Sequence, residues 1–204
     1  MGTAERKERD KLEMREMILN AAKKLFLKEG FEHVTIRRIA EEIEYSPATV
    51  YLYFNDKDSI LCSLQEIGFA EFYKRQQILA SIKNPAEKLR AHGRVYVQFA
   101  FENPELYDLM FIIRAPMNAI PKGIDWEVGK RTLQVLKDNV QECIQAGYIK
   151  EGNVDTISFG IWSIVHGMVS LIIRDRVPRL PKEYQMTFIE QSLDFLMEEI
   201  LQKN

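Results

Sequence analysis

Helical spacing is the feature of this 204-residue chain that most restricts its fold. Apolar residues recur at intervals of three and four along almost all of it, and the alternating apolar and polar runs typical of strands are absent. Three predicted helices begin with a capping residue followed by proline: Ser46-Pro47, Asn84-Pro85 and Asn103-Pro104. The capping side chain can accept a hydrogen bond from an unpaired amide, and proline lacks an amide that would need a partner. The pattern therefore predicts an all-α protein.

The predicted helices form a short N-terminal group and a longer C-terminal group. We expect nine of them, over about residues 10–29, 35–43, 47–53, 56–81, 85–102, 104–113, 125–146, 154–175 and 181–202. The first three belong to an N-terminal domain, residues 1–58, and the others to a helical bundle, residues 59–204.

Composition favours a soluble protein of a reducing compartment, which we expect to be the cytoplasm. The net charge is -2, so bulk charge does not point to nucleic acid or to an anionic membrane. The longest apolar run, "FGIWSIVHGMVSLII", falls short of the ~20 residues of a membrane span. Cys62 and Cys143 are far apart, so we expect no disulfide framework, no metal site and no cofactor.

Two short predicted helices, residues 35–43 and 47–53, stand side by side and are separated by "EYS". Each has a narrow apolar face: Ile36, Ile39, Ala40 and Ile43 in the first, Val50 and Phe54 in the second. Two short helices joined by such a turn and braced by a longer one form a helix-turn-helix, whose second helix fits the DNA major groove. The alternative is a small helical subdomain whose tyrosines merely pack.

The side chains left outside suit DNA. Five of them offer hydroxyl groups that can bond phosphates: Thr35, Ser46, Thr49, Tyr51 and Tyr53. Pro47 and Ala48 are small enough to let the helix lie close to the bases. Lys57 can reach the DNA backbone, and Arg37 is long enough for a bidentate contact to guanine.

The segment "TIRRIAEEIEYSPATVYLYFNDKDSI", preceded by "ILNAAKKLFLKEGFEHVT", resembles the helix-turn-helix signature of TetR-type transcriptional repressors. The resemblance implies base or groove contacts from Arg37, Pro47, Ala48 and Tyr51. It implies phosphate contacts from Thr35, Ser46, Thr49, Tyr53 and Lys57. Two positions depart from the signature, since Glu44 replaces a usual glycine and Tyr53 replaces a common histidine. A left-handed conformation at Glu44 would cost about 1–2 kcal/mol.

The resemblance also implies a C-terminal body that binds a small molecule and forms a homodimer through its last two helices. The eighth predicted helix is apolar on nearly every side, which indicates burial all round. The predicted dimer interface consists of Ile161, Met168, Leu193, Leu196, Met197 and Ile200. Gly160 and Gly167 would allow two helices to approach closely. The alternative is an eighth helix buried wholly within one subunit.

A ligand cavity is predicted among the fourth to eighth helices. Its candidate lining is mostly aromatic: Phe69, Tyr73, Tyr96, Phe99, Tyr107, Met110, Phe111, Met117, Trp126, Trp162 and His166, with Arg114 as a partner for an anion. These residues favour an apolar or aromatic ligand, although such residues can also be plain core. "WSIVHGMVSL" resembles a Trp-His-Gly element of one TetR subgroup. Its histidine can contact a ligand, bind a metal or be satisfied within the core, and the last is the commoner role of a lone histidine.

The sequence therefore predicts a ligand-responsive repressor that binds palindromic double-stranded DNA as a homodimer and is released by a small effector. Paired carboxylates in an apolar setting, a nucleophile elbow, a metal-ligand cluster and a phosphate-binding glycine loop are all absent, so we predict no catalytic residues and no enzyme. Two alternatives remain open. One is an all-helical enzyme or small-molecule carrier that uses the C-terminal cavity, and the other is a helix-turn-helix protein without an effector.

Overall fold

The computed structural model describes residues 2–114 and 127–202, without the side chain of Thr3, and its regular structure is helical. The helices are α1 (Thr3–Glu29), α2 (Ile36–Glu42), α3 (Pro47–Tyr51), α4 (Lys57–Gln76), α5 (Pro85–Glu102), α6 (Pro104–Phe111), α7 (Glu127–Gln145), α8 (Val154–Ile173) and α9 (Lys182–Ile200). A 3-10 helix, Gln77–Ser81, follows α4. The predicted all-α class is confirmed.

The predicted caps are confirmed at two of the three positions. The Ser46 hydroxyl accepts a hydrogen bond from the Thr49 amide at 3.2 Å, and the Asn84 carboxamide oxygen accepts from the Ala86 amide at 2.9 Å. Asn103 acts on the preceding helix instead, because its side-chain nitrogen donates to the Phe99 carbonyl at 3.0 Å. Side-chain caps therefore set the starts of α3 and α5.

The described chain forms two compact units whose sequence ranges interleave. Unit one comprises residues 2–67 and 108–114, and unit two comprises residues 68–107 and 127–202. Helix α4 crosses from one unit to the other within its own length. The predicted domain boundary between residues 58 and 59 stays a prediction.

The core of unit one joins α1 to the two short helices. Its apolar side chains are almost completely buried: Ile18, Ala22, Leu25, Phe26, Ile36, Ile39, Ala40 and Val50. Burying one large aliphatic side chain contributes about 1.5–3 kcal/mol, so this shared core holds two helices that are too short to be stable alone.

Helices α5, α7, α8 and α9 build the core of unit two. A close approach of α5 and α9 depends on Gly93, since a Cβ at this position would lie 2.8 Å from Cδ1 of Leu193. Leu193 is itself 1% exposed. Any larger residue at Gly93 would have to displace a packed side chain.

Helix α8 has two apolar faces, of which unit two covers one. Ile161, Val165 and Val169 are buried, whereas three large apolar side chains are exposed: Phe159, Ile164 and Leu171. The expectation of a helix buried all round is therefore wrong for the single chain. Helix α8 runs for 20 residues, and by length and composition alone it could cross a membrane, which corrects the expectation that its apolar run is too short. Only 28% of its most apolar window is buried.

Helix α9 repeats this arrangement. Ile189, Leu193 and Met197 face the core of unit two, and the opposite side exposes Tyr184, Phe188 and Phe195. Three of the predicted interface residues, Ile161, Leu193 and Met197, are thus core residues of the single chain, while Met168, Leu196 and Ile200 are half-buried. Helical spacing identified the more strongly apolar stripe of each helix, and that stripe is the one that packs within the chain.

Candidate functional site

The helix-turn-helix of unit one presents most of the predicted DNA-contacting residues at its surface. Thr35, Arg37, Ser46, Ala48 and Tyr51 are exposed. The remaining four are half-buried: Pro47, Thr49, Tyr53 and Lys57. Their roles toward DNA stay predictions.

Two of the predicted hydroxyl groups also shape the motif. Thr35 Oγ1 accepts a hydrogen bond from the Arg38 amide at 3.2 Å and caps α2, as Ser46 caps α3. The Ser46 and Thr49 hydroxyl groups lie 3.0 Å apart and share a further hydrogen bond. A phosphate oxygen only accepts hydrogen bonds, so the hydroxyl hydrogens are what matter for DNA. The cap leaves the Thr35 hydrogen available, and one hydroxyl group of the Ser46–Thr49 pair also keeps its hydrogen.

The turn between α2 and α3 is a Schellman motif with glutamate in the position that favours glycine. The Tyr45 amide donates to the Ala40 carbonyl at 2.9 Å, and the Glu44 amide donates to the Glu41 carbonyl at 3.2 Å. Glu44 has φ 60°, so it occupies the left-handed region. The departure noted in the sequence therefore leaves the turn with backbone strain of about 1–2 kcal/mol.

Arg37 and Arg38, adjacent in sequence, have different surroundings. Arg38 lies 3.0 Å from a Glu29 carboxylate oxygen and 3.3 Å from one of Glu42, and the bond to Glu29 raises the pKa of its guanidinium. Lys24 bonds Glu42 at 2.6 Å and lowers the pKa of that carboxyl. These ion pairs link α1 to α2, so Arg37 is the arginine that the α2 surface offers to a partner.

Lys57 has a structural role in addition to the one predicted for it. Its ammonium group donates to the Phe31 carbonyl at 2.6 Å and to the Val34 carbonyl at 3.1 Å, which fixes the start of α4 to the α1–α2 connector. An ammonium group has three donors, so these two bonds do not use its full capacity. Backbone carbonyl partners of this kind could not be predicted from the residue pattern.

Arg15 is a residue of this motif that sequence reasoning missed. Its guanidinium donates to the Tyr53 carbonyl at 2.9 Å and lies over the Phe54 ring, 4.3 Å from the centroid. An arginine on α1 therefore holds the segment that follows α3. Arg15 is one of many charged residues of α1, so the sequence pattern does not single it out.

The predicted ligand-contacting residues of α5, α6 and α8 form a hydrogen-bonded aromatic cluster in unit two. The Tyr96 and Tyr107 hydroxyl groups lie 3.0 Å and 2.8 Å from His166 Nδ1. The Trp162 side chain donates to the Tyr96 hydroxyl, and the Tyr107 and His166 rings stack at 5.5 Å. Burial lowers the pKa of His166 and raises that of Tyr96 well above its usual range, so both groups are neutral.

Other predicted lining residues are divided between the units. Phe69 and Phe99 are buried and Tyr73 is half-buried in unit two, whereas Met110, Phe111 and Arg114 belong to unit one. Met117 and Trp126 lie outside the described residues. Phe72, which sequence reasoning missed, contacts the rings of Tyr96 at 5.6 Å and Phe99 at 5.0 Å. In the sequence, the spacing of Phe72 is the same as that of any core residue of a helix, so the pattern does not single it out.

Both parts of the chain match the same protein family. Residues 18–64 match the family described as "Bacterial regulatory proteins, tetR family", and residues 89–197 match "Tetracyclin repressor-like, C-terminal domain". The second match alone covers more than half of the chain. The narrower resemblance to a Trp-His-Gly subgroup stays a prediction.

Similar proteins are transcriptional regulators. The chain is 24% identical to the HTH-type transcriptional regulator HbdR of Aromatoleum sp. (strain CIB), over 76% of this chain and 68% of that protein. It is 29% identical to the fatty acid metabolism regulator protein of Bacillus subtilis (strain 168), over 66% and 70% of the two chains. Its fold is similar to the crystal structure of the transcriptional regulator FadR from Bacillus subtilis in complex with stearoyl-CoA, with a TM-score of 0.69, 22% identity, and coverage of 89% and 96%.

The strained turn leads to the first prediction. Replacing Glu44 by glycine removes a left-handed strain of about 1–2 kcal/mol and adds a backbone entropy cost of about 0.5–1 kcal/mol. We expect Glu44→Gly to raise the free energy of unfolding by up to about 1 kcal/mol, measured by urea denaturation. Glu41→Gly is the matched control, because this exposed glutamate lies within α2 and its replacement should destabilise. Destabilisation by both variants would contradict the assigned strain.

Proposed function

Because the chain belongs to the TetR family of bacterial regulatory proteins, we propose that it is a cytoplasmic, ligand-responsive repressor. As a homodimer it binds a palindromic DNA operator, and a small apolar or aromatic effector releases it. The observation that carries the proposal is the helix-turn-helix surface. Arg37, Ala48 and Tyr51 are exposed there, while Ile39 and Val50 are fully buried on the other side. A surface held so rigidly can present side chains to base edges.

The contacts proposed for DNA divide into two kinds. Arg37 and Tyr51 meet base edges or the groove wall, and the small side chains of Pro47 and Ala48 let α3 approach. Hydroxyl groups and one ammonium group contact phosphates and set the register: Thr35, Ser46, Thr49, Tyr53 and Lys57. Since the net charge is only -2, affinity depends on these local groups and not on an overall positive field.

The exposed sides of α8 and α9 support a homodimer. On α8, Gly160, Ile164, Gly167 and Leu171 recur at intervals of three and four and share one face. A Cβ at either glycine would meet nothing within 4 Å in the single chain, so this face is open to a second helix. A second copy of the chain would cover this face and the Tyr184, Phe188 and Phe195 side of α9, and a two-fold dimer brings identical faces together.

The aromatic cluster of unit two supports an effector with an apolar body. Tyr96, Tyr107, Trp162 and His166 combine large apolar surfaces with a few polar atoms, which is typical of small-molecule sites. The structurally similar Bacillus subtilis FadR binds stearoyl-CoA, whose acyl chain is apolar. An enzyme or carrier using the same residues is the second reading, and an operator-binding assay separates it from the repressor.

The DNA face leads to the second prediction. Arg37→Ala should weaken binding to a selected operator by about 1–3 kcal/mol and relax the preference at one base pair, and Tyr51→Ala should weaken binding to all sequences. Fluorescence anisotropy at fixed salt measures both effects. Arg131→Ala removes an exposed arginine of unit two and should leave affinity unchanged. If Arg37→Ala and Tyr51→Ala both bind the operator as tightly as Arg131→Ala does, this face does not bind DNA.

The dimer face leads to the third prediction. Phe195 is 67% exposed in the single chain, and Phe195→Asp should split the dimer because the interface would bury an unpaired charge. Ile78 is 66% exposed and lies away from α8 and α9 in sequence, so Ile78→Asp is the matched control and should sediment as wild type.

Gly167→Ala adds a second readout to this prediction. Alanine favours the helix by about 1 kcal/mol in an isolated subunit, but an added methyl group would obstruct two closely packed helices. We therefore expect a weaker dimer in sedimentation equilibrium, with no loss of subunit helicity. A monomeric wild-type protein, or a Phe195→Asp variant as dimeric as Ile78→Asp, would overturn the proposed interface.

A further inference from the structure

Three polar residues of unit two, which are not part of the hydrogen-bonded cluster around His166, are buried close together. Gln76 is the last residue of α4, His92 lies on α5 and Thr132 lies on α7. They are 1%, 5% and 6% exposed. The Gln76 side-chain nitrogen lies 2.9 Å from His92 Nε2 and 3.2 Å from the Thr132 carbonyl oxygen.

These distances determine the orientation of the amide and the tautomer of the ring. A carbonyl oxygen only accepts hydrogen bonds, so the Gln76 atom that faces Thr132 must be the amino nitrogen. The opposite orientation would place two acceptors 3.2 Å apart. Because the same nitrogen donates to His92 Nε2, that ring atom must carry a lone pair, and the ring hydrogen belongs on Nδ1.

The cluster is left with one unused donor and one unused acceptor. Among the described residues, His92 Nδ1 and Gln76 Oε1 are buried and have no hydrogen-bond partner. An unsatisfied buried group lowers the stability of the folded state, and a native protein contains only a few of them. Burial also lowers the pKa of His92 to about 4, so the ring is neutral at pH 7. A single partner that satisfies both atoms would have to accept from His92 Nδ1–H and donate to Gln76 Oε1.

We propose that Gln76 and His92 form a polar anchor that binds the head group of an uncharged effector, such as a primary amide or an alcohol. The inference rests on the proposed repressor function and specifies the chemistry of its effector. The head group would accept from His92 Nδ1–H and donate to Gln76 Oε1. A carboxylate could accept from His92, but it has no hydrogen for Gln76 Oε1 and would place its negative charge against that oxygen. A neutral head group therefore binds more tightly than an anionic one.

The ring tautomer provides the first test, with octanamide, 1-octanol and octanoate as probes. The chain has three histidines, so nitrogen-15 histidine labelling gives a simple spectrum that His92→Phe assigns. At pH 7.5 we expect the Nδ1–H tautomer at His92. We also expect octanamide and 1-octanol to change the nitrogen-15 chemical shifts of the His92 ring, and octanoate to leave them unchanged. An Nε2–H tautomer would overturn the inference. So would no response to either neutral probe, as expected if a buried water satisfies both atoms.

The second test removes the anchor while keeping the side-chain volume. Replacing both partners by apolar groups can be neutral or stabilising, so the Gln76→Leu, His92→Phe double variant should melt at or above the wild-type temperature without a probe. Its octanamide affinity, measured by calorimetry, should fall at least about tenfold, which is about 1.4 kcal/mol. Asn139→Leu removes another buried amide of unit two, whose nitrogen donates to the Pro85 carbonyl and whose oxygen also has no partner among the described residues. This variant should keep wild-type octanamide affinity.

Operator binding separates failure of the anchor from failure of the proposed function. A double variant that binds octanamide as tightly as wild type, in a protein that binds its operator, would overturn the anchor alone. A wild-type protein that binds octanamide through His92 but binds no selected operator would overturn the repressor function and leave the anchor as a binding site. The inference predicts a double variant that still binds the operator and is no longer released by octanamide.

Discussion

Helices α8 and α9 each carry apolar side chains on two opposite faces, and a single chain covers only one face of each. The inner face builds the core of unit two through residues such as Val169 and Leu193. The outer face leaves large side chains such as Phe159 and Phe195 in water. At about 25 cal/mol per Å² of apolar surface, covering such a face is a strong driving force for association. The proposed second subunit would cover this face, and it would also supply the second reading head that a palindromic operator requires.

Among the described residues, some buried polar groups of the protein have all their hydrogen-bond partners within the chain, and others do not. The Tyr96, Tyr107 and His166 cluster is hydrogen-bonded within unit two and fixes the orientation of its rings. The Gln76 and His92 pair is bonded on one side only. The inferred head group would supply the missing hydrogen bonds, so its binding would contribute free energy that the core does not.

Much of the fold could be predicted from the sequence because its helix signals are local. The capping side chains of Ser46 and Asn84 act on amides two or three residues away, and the apolar spacing of α2 directly gives its buried face. Even the effect of Glu44 was accessible, because a Schellman turn requires a left-handed residue whatever its side chain.

The features that sequence reasoning missed depend on tertiary contacts. Periodicity shows that α8 and α9 are apolar, but it does not show which stripe lies inside the subunit. Leu193, predicted for the dimer interface, is buried in the core of the single chain. Arg38 and Lys57 have long side chains whose partners are set by neighbouring helices, namely Glu29 and the carbonyls of Phe31 and Val34. The unsatisfied atoms of Gln76 and His92 could not be foreseen, because burial of the whole cluster decides whether water reaches them.

The most direct measurement compares the affinity of an effector for the free protein with its affinity for protein saturated with operator duplex. The effector is first found by a thermal-shift screen for small molecules that stabilise the protein. Effector and operator must weaken each other by the same factor if one favours a conformation that the other disfavours. We predict an effector affinity that is lower on the operator by about 5–150-fold, a coupling of about 1–3 kcal/mol. Equal affinities, for an effector shown by calorimetry to bind with one site per subunit, would contradict a ligand-released repressor.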